Sequence, residues 1–419
     1  MKTVVLPARA YEPGKKGDMT KDVYDLPYYG AWYKEFEQDG KKRRVTLYTP
    51  ACARAQMRKT FIWMPEGVSA DEFLARSCWA DISETIGTYL ILLESAGMCP
   101  GEERNCLYEA EKRCFFDEKE PFAPVTGDGN YIVGYGAGAD AALECALNDP
   151  SKFSAAAFFG AKKTDPDRLE TIARSPLRAF AQDTRVEGYV NECCALPAWA
   201  FGKEDEDLVS YLRRINSAQE DGEITQYGRV YREKPFVYND TLNTRAMGRV
   251  IVTAADNAAE LYRDDGVTRR LWDALFGKVL RFVEGPCGAL RPFVPIEEPV
   301  FRMYAEKMAH GDFENEVTRR WCAYIPAGYV PGKPVPLVIA THGYTATYEY
   351  FARNSEWWRV AEEHGFIVAF TQALPTQGLN GTPRWRSGYL GKGRGGRPRD
   401  SREGFLSEIA YFRRVVERM

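Results

Sequence analysis

Histidine is scarce in this sequence of 419 residues and occurs only as His310, His342 and His364. Residues 1–309 therefore hold no imidazole that could serve as a general base. Long apolar runs are also missing, so no segment is expected to span a membrane. Positive and negative charges nearly balance, with a formal net charge of −3. That balance excludes a general attraction to nucleic acid or to an anionic membrane surface.

Metal-binding cysteine spacing is absent as well. The ten cysteines include the adjacent Cys193 and Cys194, and the more widely spaced Cys99, Cys106 and Cys114, but none shows C-x2-C spacing. We therefore expect no metal site and no cofactor, and interpret most cysteines as small buried apolar residues. The N-terminal apolar run is too short for a signal-peptide core, which favours a cytoplasmic location. A leader removed earlier would leave the same sequence.

An internal repeat is the most informative feature that is present. The segment from Arg43 can be aligned with the segment from Thr318. Two pairs share an offset of 276 residues and three share an offset of 278: Pro50 and Pro326, Gly67 and Gly343, Phe73 and Phe351, Trp79 and Trp357, Gly87 and Gly365. We attribute the difference between the two offsets to a two-residue insertion in the loop after the paired glycines. The ordered series predicts a duplicated domain.

Each copy has the same predicted layout. A strand ends in proline, an apolar strand runs into a glycine loop, and an amphipathic helix precedes a third strand. This alternation predicts a mostly parallel sheet with helices on both faces. In the first copy, strands starting at Arg249 and Lys278 are expected to close the domain, and the proline-rich stretch from Pro292 reads as a linker. We therefore divide the chain into residues 1–295, with a core of about 30–290, and residues 296–419.

The stretch YIVGYGAGADAAL, from Tyr131, reads as a buried strand, a glycine turn and a helix. That is the setting of the nucleophile elbow G-x-S-x-G of serine hydrolases. The motif positions here are Gly134, Tyr135, Gly136, Ala137 and Gly138, and Gly136 stands where the serine belongs. We favour a degenerate elbow, because the repeat and the alanine-rich helix agree with it. The alternative is a tightly packed strand–turn–helix of no catalytic origin.

The second copy carries motifs of a known family. These are YIPAG from Tyr324, PLVIATHGYTAT from Pro336, AEEHGFIVAF, and a final helix with EIAYFRRVVERM. They resemble the start of esterases of the poly(3-hydroxybutyrate) depolymerase type, which are related to feruloyl and acetylxylan esterases. The resemblance implies an α/β-hydrolase fold and hydrolysis of small or polymeric carboxylic esters through an acyl-serine. It also implies that His342 and Gly343 belong to the oxyanion loop and that the Tyr344 N–H is a donor.

The catalytic set that the resemblance calls for is incomplete. No G-x-S-x-G occurs in the chain, and no histidine occupies the base position after the last strand of the first copy, where we place VEGPCGALRPF. Asp205 matches the family's acid, but a helix N-terminal acid is the simpler interpretation. The first copy has Pro65-Glu66-Gly67 at the oxyanion loop, and the charge of Glu66 would repel an oxyanion.

These absences lead to two functional hypotheses. In the first, residues 1–295 are a degenerate hydrolase-like domain and residues 296–419 are the N-terminal part of an esterase domain. Its elbow, acid and base are then expected beyond Met419, so the chain alone is predicted to be inactive. In the second, the chain is a pseudo-hydrolase that binds a ligand or acts as a scaffold. An incomplete second domain is also predicted to expose sheet edges and to self-associate.

The loop from Arg384 to Arg402 holds seven basic residues together with Trp385 and Tyr389. Its GKGRGG run matches G-x-G-x-x-G but lacks the strand before it and the helix after it that a dinucleotide site needs. Three interpretations stay open: a loop that grips an anionic polymer or acyl group, a nucleic-acid contact, and a solvated loop. For the chain as a whole we expect neither a nucleic-acid nor a membrane partner.

Overall fold

The computed structural model describes residues 3–10, 29–52, 58–95, 100–116, 129–178, 185–234, 247–282, 285–343, 346–375, 384–386 and 401–419. The strands are β1 (Arg9–Ala10), β2 (Gly30–Gln38), β3 (Lys41–Thr49), β4 (Arg58–Trp63), β5 (Thr88–Leu93), β6 (Asn130–Tyr135), β7 (Ala155–Phe159), β8 (Pro176–Arg178), β9 (Arg185–Val190), β10 (Ala198–Gly202), β11 (Glu223–Thr225), β12 (Gly228–Tyr231), β13 (Val250–Ala254), β14 (Val279–Phe282), β15 (Ala289–Pro292), β16 (Phe301–Met308), β17 (Val317–Tyr324), β18 (Leu337–Thr341) and β19 (Ile367–Thr371). The helices are α1 (Ala70–Arg76), α2 (Trp79–Ile86), α3 (Pro100–Glu111), α4 (Ala137–Asn148), α5 (Pro166–Arg174), α6 (Glu206–Asn216), α7 (Asp265–Ala274), α8 (Tyr348–Ser355), α9 (Trp357–His364) and α10 (Arg402–Arg418).

The first sheet has eleven strands in the order β1-β2-β3-β5-β4-β6-β7-β10-β13-β12-β11. From β5 to β13 all neighbours are parallel, and β3 runs antiparallel to both β2 and β5. Strands such as TYLILL and NYIVGY are buried at every position, because helices and their apolar clusters cover both faces. This confirms the mostly parallel α/β-hydrolase fold predicted from the sequence.

One predicted strand does not belong to this sheet. The strand that begins near Lys278 is β14, which pairs with β15 in a separate two-stranded antiparallel sheet. A short apolar run does not reveal whether its neighbour is parallel or antiparallel, so the sequence placed it wrongly. The last parallel strand is β13. The loop that follows the parallel sheet is therefore residues 255–264, and not VEGPCGALRPF.

The second sheet is smaller and has the order β16-β17-β19-β18. Its first two pairings are antiparallel and the third is parallel. The first sheet shows the same order and the same directions over β2-β3-β5-β4. The helices between the strands also correspond, since α2 and α9 both begin at a tryptophan and both end at a left-handed glycine.

Two side-chain clusters recur at equivalent positions of the two sheets. Tyr48 donates its hydroxyl to Glu84 at 2.6 Å, and Tyr324 donates to Glu362 at 2.9 Å. In each copy the backbone N–H three residues after the tyrosine donates to the same carboxylate at 2.9 Å. Burial, together with the bond to Glu362, raises the pKa of Tyr324 to about 12. Each glutamate thus fastens the end of a strand to the helix beside it.

The second cluster is a buried ion pair. Arg43 pairs with Glu103 of α3, and Arg319 pairs with Glu408 of α10 at 2.7 Å. Each arginine also donates to a backbone carbonyl just past the neighbouring strand, at 3.4 Å in both copies. Burial opposes ionisation of Glu408, yet His310 and Arg319 hold the pKa of its carboxyl below the usual value. By these contacts α10 occupies the place of α3.

Strand register corrects one detail of the sequence alignment. Trp63 lies opposite Leu93, and Thr341 lies opposite Thr371. The two-residue shift therefore falls before the second strand rather than after the paired glycines. Gly343 then aligns with Pro65, and not with Gly67. The oxyanion-loop position of Tyr344 corresponds to Glu66, which is exposed.

The two units touch through the β14–β15 hairpin and α8. Arg353 donates to the carbonyl of Val294 at 2.8 Å, and Arg291 donates to the carbonyl of Asn354 at 3.2 Å. The rings of Phe282 and Tyr350 lie 6.2 Å apart between these bonds. In the part of the chain that the structure describes, no helix has the length and apolarity to cross a bilayer.

The ion pair of the second unit yields a stability prediction. Glu408→Leu leaves the Arg319 guanidinium buried without its carboxylate, which we expect to cost about 3–5 kcal/mol of the free energy of unfolding. Urea denaturation measures this. The double variant Arg319→Met/Glu408→Leu should recover most of the loss, because neither member of the pair is then left charged without its partner. Glu170→Leu breaks exposed pairs and should leave the free energy of unfolding almost unchanged, because solvent screens them. A small cost for Glu408→Leu alone would contradict the account.

Candidate active site

The glycine turn between β6 and α4 is the centre of the candidate site. Gly136 has φ 59° and ψ −125°, a backbone conformation that strains any residue with a Cβ. Its N–H donates to the carbonyl of Phe159 on β7 at 2.8 Å, and its carbonyl accepts from the N–H of Ala139 at 2.9 Å. The chain therefore makes the sharp strand-to-helix turn on which a nucleophile would be displayed, but it displays no side chain there.

Gly134 and Gly138 allow α4 to approach the sheet closely. A Cβ on Gly134 would lie 2.2 Å from the carbonyl oxygen of Gly138. A Cβ on Gly138 would lie 2.6 Å from the carbonyl oxygen of Met64, just past β4. Both contacts are with backbone, which cannot move aside. The glycine spacing is thus a packing requirement of this turn, whatever chemistry it carries.

The loop after β13 covers the turn. It forms a short 3₁₀ helix, Ala258–Arg263, and a Cβ added to Gly136 would lie 3.2 Å from the Cβ of Ala259. A Cβ added to Gly160, at the end of β7, would lie 3.3 Å from the backbone nitrogen of Ala259. The resemblance expects the histidine base after the last parallel strand. An alanine faces the nucleophile position from that loop, which the sequence does not reveal because the apolar run of β14 suggests a later last strand.

Aromatic side chains pack in the core next to the turn. Trp79 donates its indole N–H to the Tyr135 hydroxyl at 3.0 Å, and burial raises the pKa of that hydroxyl. Tyr135 stacks on Phe159 with ring centroids 4.6 Å apart, and Tyr262 stacks on Phe73 at 5.1 Å. All five rings are buried, whereas Gly136 is partly exposed. The residue before the turn is therefore a core residue and offers no group to a substrate.

Asp205, the matched acid, caps a helix. Its Oδ1 accepts from the N–H of Leu208 at 3.2 Å, in the first turn of α6. Its Oδ2 accepts from the N–H and the hydroxyl of Thr164, at 2.7 and 2.6 Å. The carboxylate is therefore engaged by a helix terminus and a neighbouring loop. No histidine is available to it in residues 1–295, which contain none.

His342 is buried at the end of β18 and is fully engaged. Its Nε2 accepts from the N–H of Ala373 at 3.0 Å, so the ring proton lies on Nδ1, which donates to the carbonyl of Gly343 at 2.7 Å. Burial lowers the pKa of His342 to about 4. The indole of Trp385 donates to the His342 carbonyl at 2.8 Å. The ring is thus a neutral anchor for this loop; Tyr344, the predicted oxyanion donor, lies outside the described residues.

The other two histidines lie apart from the elbow. His310 is buried, accepts at Nδ1 from the N–H of Asp312 at 3.2 Å, and places Nε2 3.7 Å from Glu408. His364 is exposed at the end of α9. Both belong to the second unit. Among the described residues, no group of three or more His, Cys, Asp or Glu side chains could hold a metal ion.

A cleft of about 240 Å³ lies between α4 and α5 of the first unit. Its floor is apolar, from Leu143 to Ile172, and its rim is charged. The rim charges pair with one another: Lys162 with Asp140 at 3.6 Å, and Arg168 with Glu144. Its volume is below the ~300–1,000 Å³ of ordinary small-molecule sites. Most of the arginine- and glycine-rich loop lies outside the described residues.

No protein-family model matches the sequence, and no curated protein matches it. Among solved structures, it is similar to acetyl xylan esterase from Aspergillus awamori, at 12% identity and a TM-score of 0.40 over 58% of this chain and 98% of that one. The poly(3-hydroxybutyrate) depolymerase LpqC from Bordetella parapertussis gives 10% identity and a TM-score of 0.33 over 58% and 89%. Ferric enterobactin esterase from Salmonella typhimurium gives 15% and 0.35 over 61% of each chain. Such values do not indicate what this chain binds or catalyses.

The backbone contacts of the elbow yield a second stability prediction. Gly134→Ala and Gly138→Ala should each lower the free energy of unfolding by about 2–3 kcal/mol, because the new methyl group meets backbone. Gly101→Ala in α3 is the matched control, since nothing lies within 4 Å of its Cβ. That change should leave the stability equal or raise it slightly. Equal effects of the three substitutions, in urea denaturation, would show that close packing is not what the glycines provide.

His342 yields a pH prediction. Below about pH 6.5 the unfolded chain protonates this histidine, whereas the folded chain does so only near pH 4. Stability should therefore fall as the pH drops from about 6.5 to about 4, by on the order of 3 kcal/mol from this residue. The urea midpoint of His342→Gln should lack that part of the pH dependence. His364→Gln, at an exposed position, should retain it. Parallel pH profiles for wild type and His342→Gln would refute the prediction.

Proposed function

We propose that residues 1–295 are a non-catalytic unit of α/β-hydrolase fold, and that the 419-residue chain alone does not hydrolyse carboxylic esters. One observation carries this proposal. The elbow turn at Gly136 keeps its strained backbone, yet it offers no side-chain oxygen, and Ala259 stands over it. The turn geometry supports descent from a hydrolase, and the missing side-chain oxygen at position 136 argues against ester hydrolysis.

Ester hydrolysis by an acyl-serine needs a nucleophile, a base, an acid that orients the base, and oxyanion donors. Each of these can be compared with a position in this chain. Acyl transfer begins with a nucleophilic oxygen that a base deprotonates, while donors stabilise the oxyanion. Position 136 has no nucleophile, and the loop after β13 brings no histidine. Asp205 is occupied as a helix cap. Glu66 takes the place of the oxyanion-loop donor and would add a negative charge beside a developing one.

We further propose that residues 296–419 are a duplicate of the first part of the first unit. The support is the shared strand order, the repeated tyrosine–glutamate contacts and the repeated arginine–glutamate pairs. The family resemblance of the second copy favours a parent that hydrolyses small or polymeric esters. Its nucleophile is not supplied by this sequence, which contains no G-x-S-x-G.

Scaffolding is the second candidate function, and one observation favours it. The β14–β15 hairpin of the first unit holds α8 of the second through two side-chain-to-carbonyl hydrogen bonds. A scaffold needs such a fixed contact and needs no open pocket. Ligand binding beside Gly136 is less well supported, because Ala259 stands close to that turn and no polar side chain is displayed on it. A thermal-shift screen against esters, acids and oligosaccharides separates scaffolding from ligand binding. Only a ligand-binding protein should be stabilised by one of these compounds.

Hydrolysis of a p-nitrophenyl acyl ester by the purified chain tests the main proposal. We expect no rate above the uncatalysed one and no labelling by a fluorophosphonate, which reacts only with an activated serine. Gly136→Ser should remain inactive, because it restores an oxygen without a base. Hydrolysis that copurifies with the chain and disappears in Tyr344→Pro, with stoichiometric labelling, would overturn the proposal.

A further inference from the structure

The two copies differ most in what covers equivalent side chains. Trp79 and Trp357 begin α2 and α9, but Trp79 is 0% exposed and Trp357 is 41% exposed. One turn further, Ile82 is 2% exposed, and the equivalent Val360 is 40% exposed. The same helix face is therefore interior in the first unit and open in the second.

In the first unit, β6 and α7 both pack against this helix. Strand β6 lies beside β4 as a parallel strand, with pairs that run from Lys59 opposite Asn130 to Trp63 opposite Gly134. At the end of β6, Tyr135 accepts the indole N–H of Trp79, and the Asp265 carbonyl at the start of α7 accepts from the thiol of Cys78 at 3.5 Å. Helix α4 then returns across the sheet and packs on β4, β6 and α3. A strand, a turn and a helix thus extend the first unit beyond β4.

In the second unit, β18 takes the place of β4 and pairs with β19. No strand pairs with its other edge within the part of the chain that the structure describes. Leu337, Val338 and Ile339 are only partly buried, whereas the equivalent residues of β4 are buried throughout. We call the surface made by these three residues, Trp357 and Val360 the β18–α9 face.

We propose that the β18–α9 face binds a strand–turn–helix segment of a second polypeptide, as β6 and α4 complete the first unit. The segment is apolar, runs parallel to β18, and ends in an aromatic residue that reaches Trp357, as Tyr135 reaches Trp79. Main-chain hydrogen bonds to the edge strand would supply much of the affinity, and the side-chain pockets would supply specificity. This proposal does not depend on whether residues 1–295 are catalytic.

Two observations favour this occupant over a second copy of the chain. A two-fold dimer through β18 would pair the edges antiparallel, whereas the repeat shows a parallel neighbour at this position. The chain's own β6 is buried at every residue between β4 and β7, so another copy cannot lend it. Strand β18 is also uncharged and free of proline, and so lacks the features that protect a permanently exposed edge.

Hydrogen exchange of the full-length chain tests the proposal, with a peptide of residues 129–149 as the probe, carrying terminal lysines for solubility. We expect the amides of β18 to exchange at least about tenfold more slowly with saturating peptide, while those of β16 stay unchanged. A peptide with Ile132→Pro should give no protection, because proline breaks the strand pairing. Val360→Asp in the chain should weaken the effect and keep the fold, since its side chain is exposed.

The same peptide joined to Met419 by a flexible Gly/Ser linker serves if the free peptide is insoluble, because linkage raises the effective concentration. Three results would overturn the proposal. The first is that the β18 amides are already protected in the chain alone. The second is that their protection rises with chain concentration while sedimentation shows a dimer forming. The third is equal protection by the wild-type and Ile132→Pro segments, which would reveal unspecific apolar contact.

Discussion

The close approach of α4 to the sheet at Gly134 and Gly138 is the constraint on which the candidate site depends. A methyl group at either position would meet backbone within 2.6 Å, so the helix can lie there only over glycine. That packing fixes where β6 must end and where α4 must begin. It forces the intervening residue into a left-handed conformation, which Gly136 adopts with the least strain. The elbow backbone is thus required by packing of the core, so its presence alone does not signal activity.

A unit that does not act on a substrate has no need to keep space for one beside the nucleophile position. In this chain Ala259 approaches Gly136, and the rings of Phe73, Tyr135 and Tyr262 are buried together in the core nearby. An active site must keep polar groups and a cavity at some cost to stability, and a unit without that duty can fill both. The approach of Ala259 to Gly136 and the absence of histidine from residues 1–295 both agree with the proposal that this unit is non-catalytic.

The sequence predicted the parts of the fold that local patterns determine. Fully apolar strands and the glycine turn have short-range signatures, and the parallel sheet followed from them. The assignment of β14 was wrong because its partner, β15, is set by a hairpin whose register no apolar pattern reveals. That error moved the expected base loop away from Ala259. The two-residue shift was misplaced for a similar reason, since only the pairing of β18 with β19 determines it. Asp205 and His342 could be named from the sequence, but their hydrogen-bond partners could not.

The repeated contacts also explain how a half-sheet can hold together. Glu84 and Glu362 each tie a strand end to a helix, and Arg43 and Arg319 each tie a strand to the helix that comes after the next strands. All of these bonds lie within the first four strands of a unit and their helices, and none needs β6 or α4. The second unit therefore keeps its internal contacts although Trp357 and Val360 of α9 stay exposed. Internal order and an open face can coexist because different interactions govern them, and that separation makes the β18–α9 face a defined surface for binding.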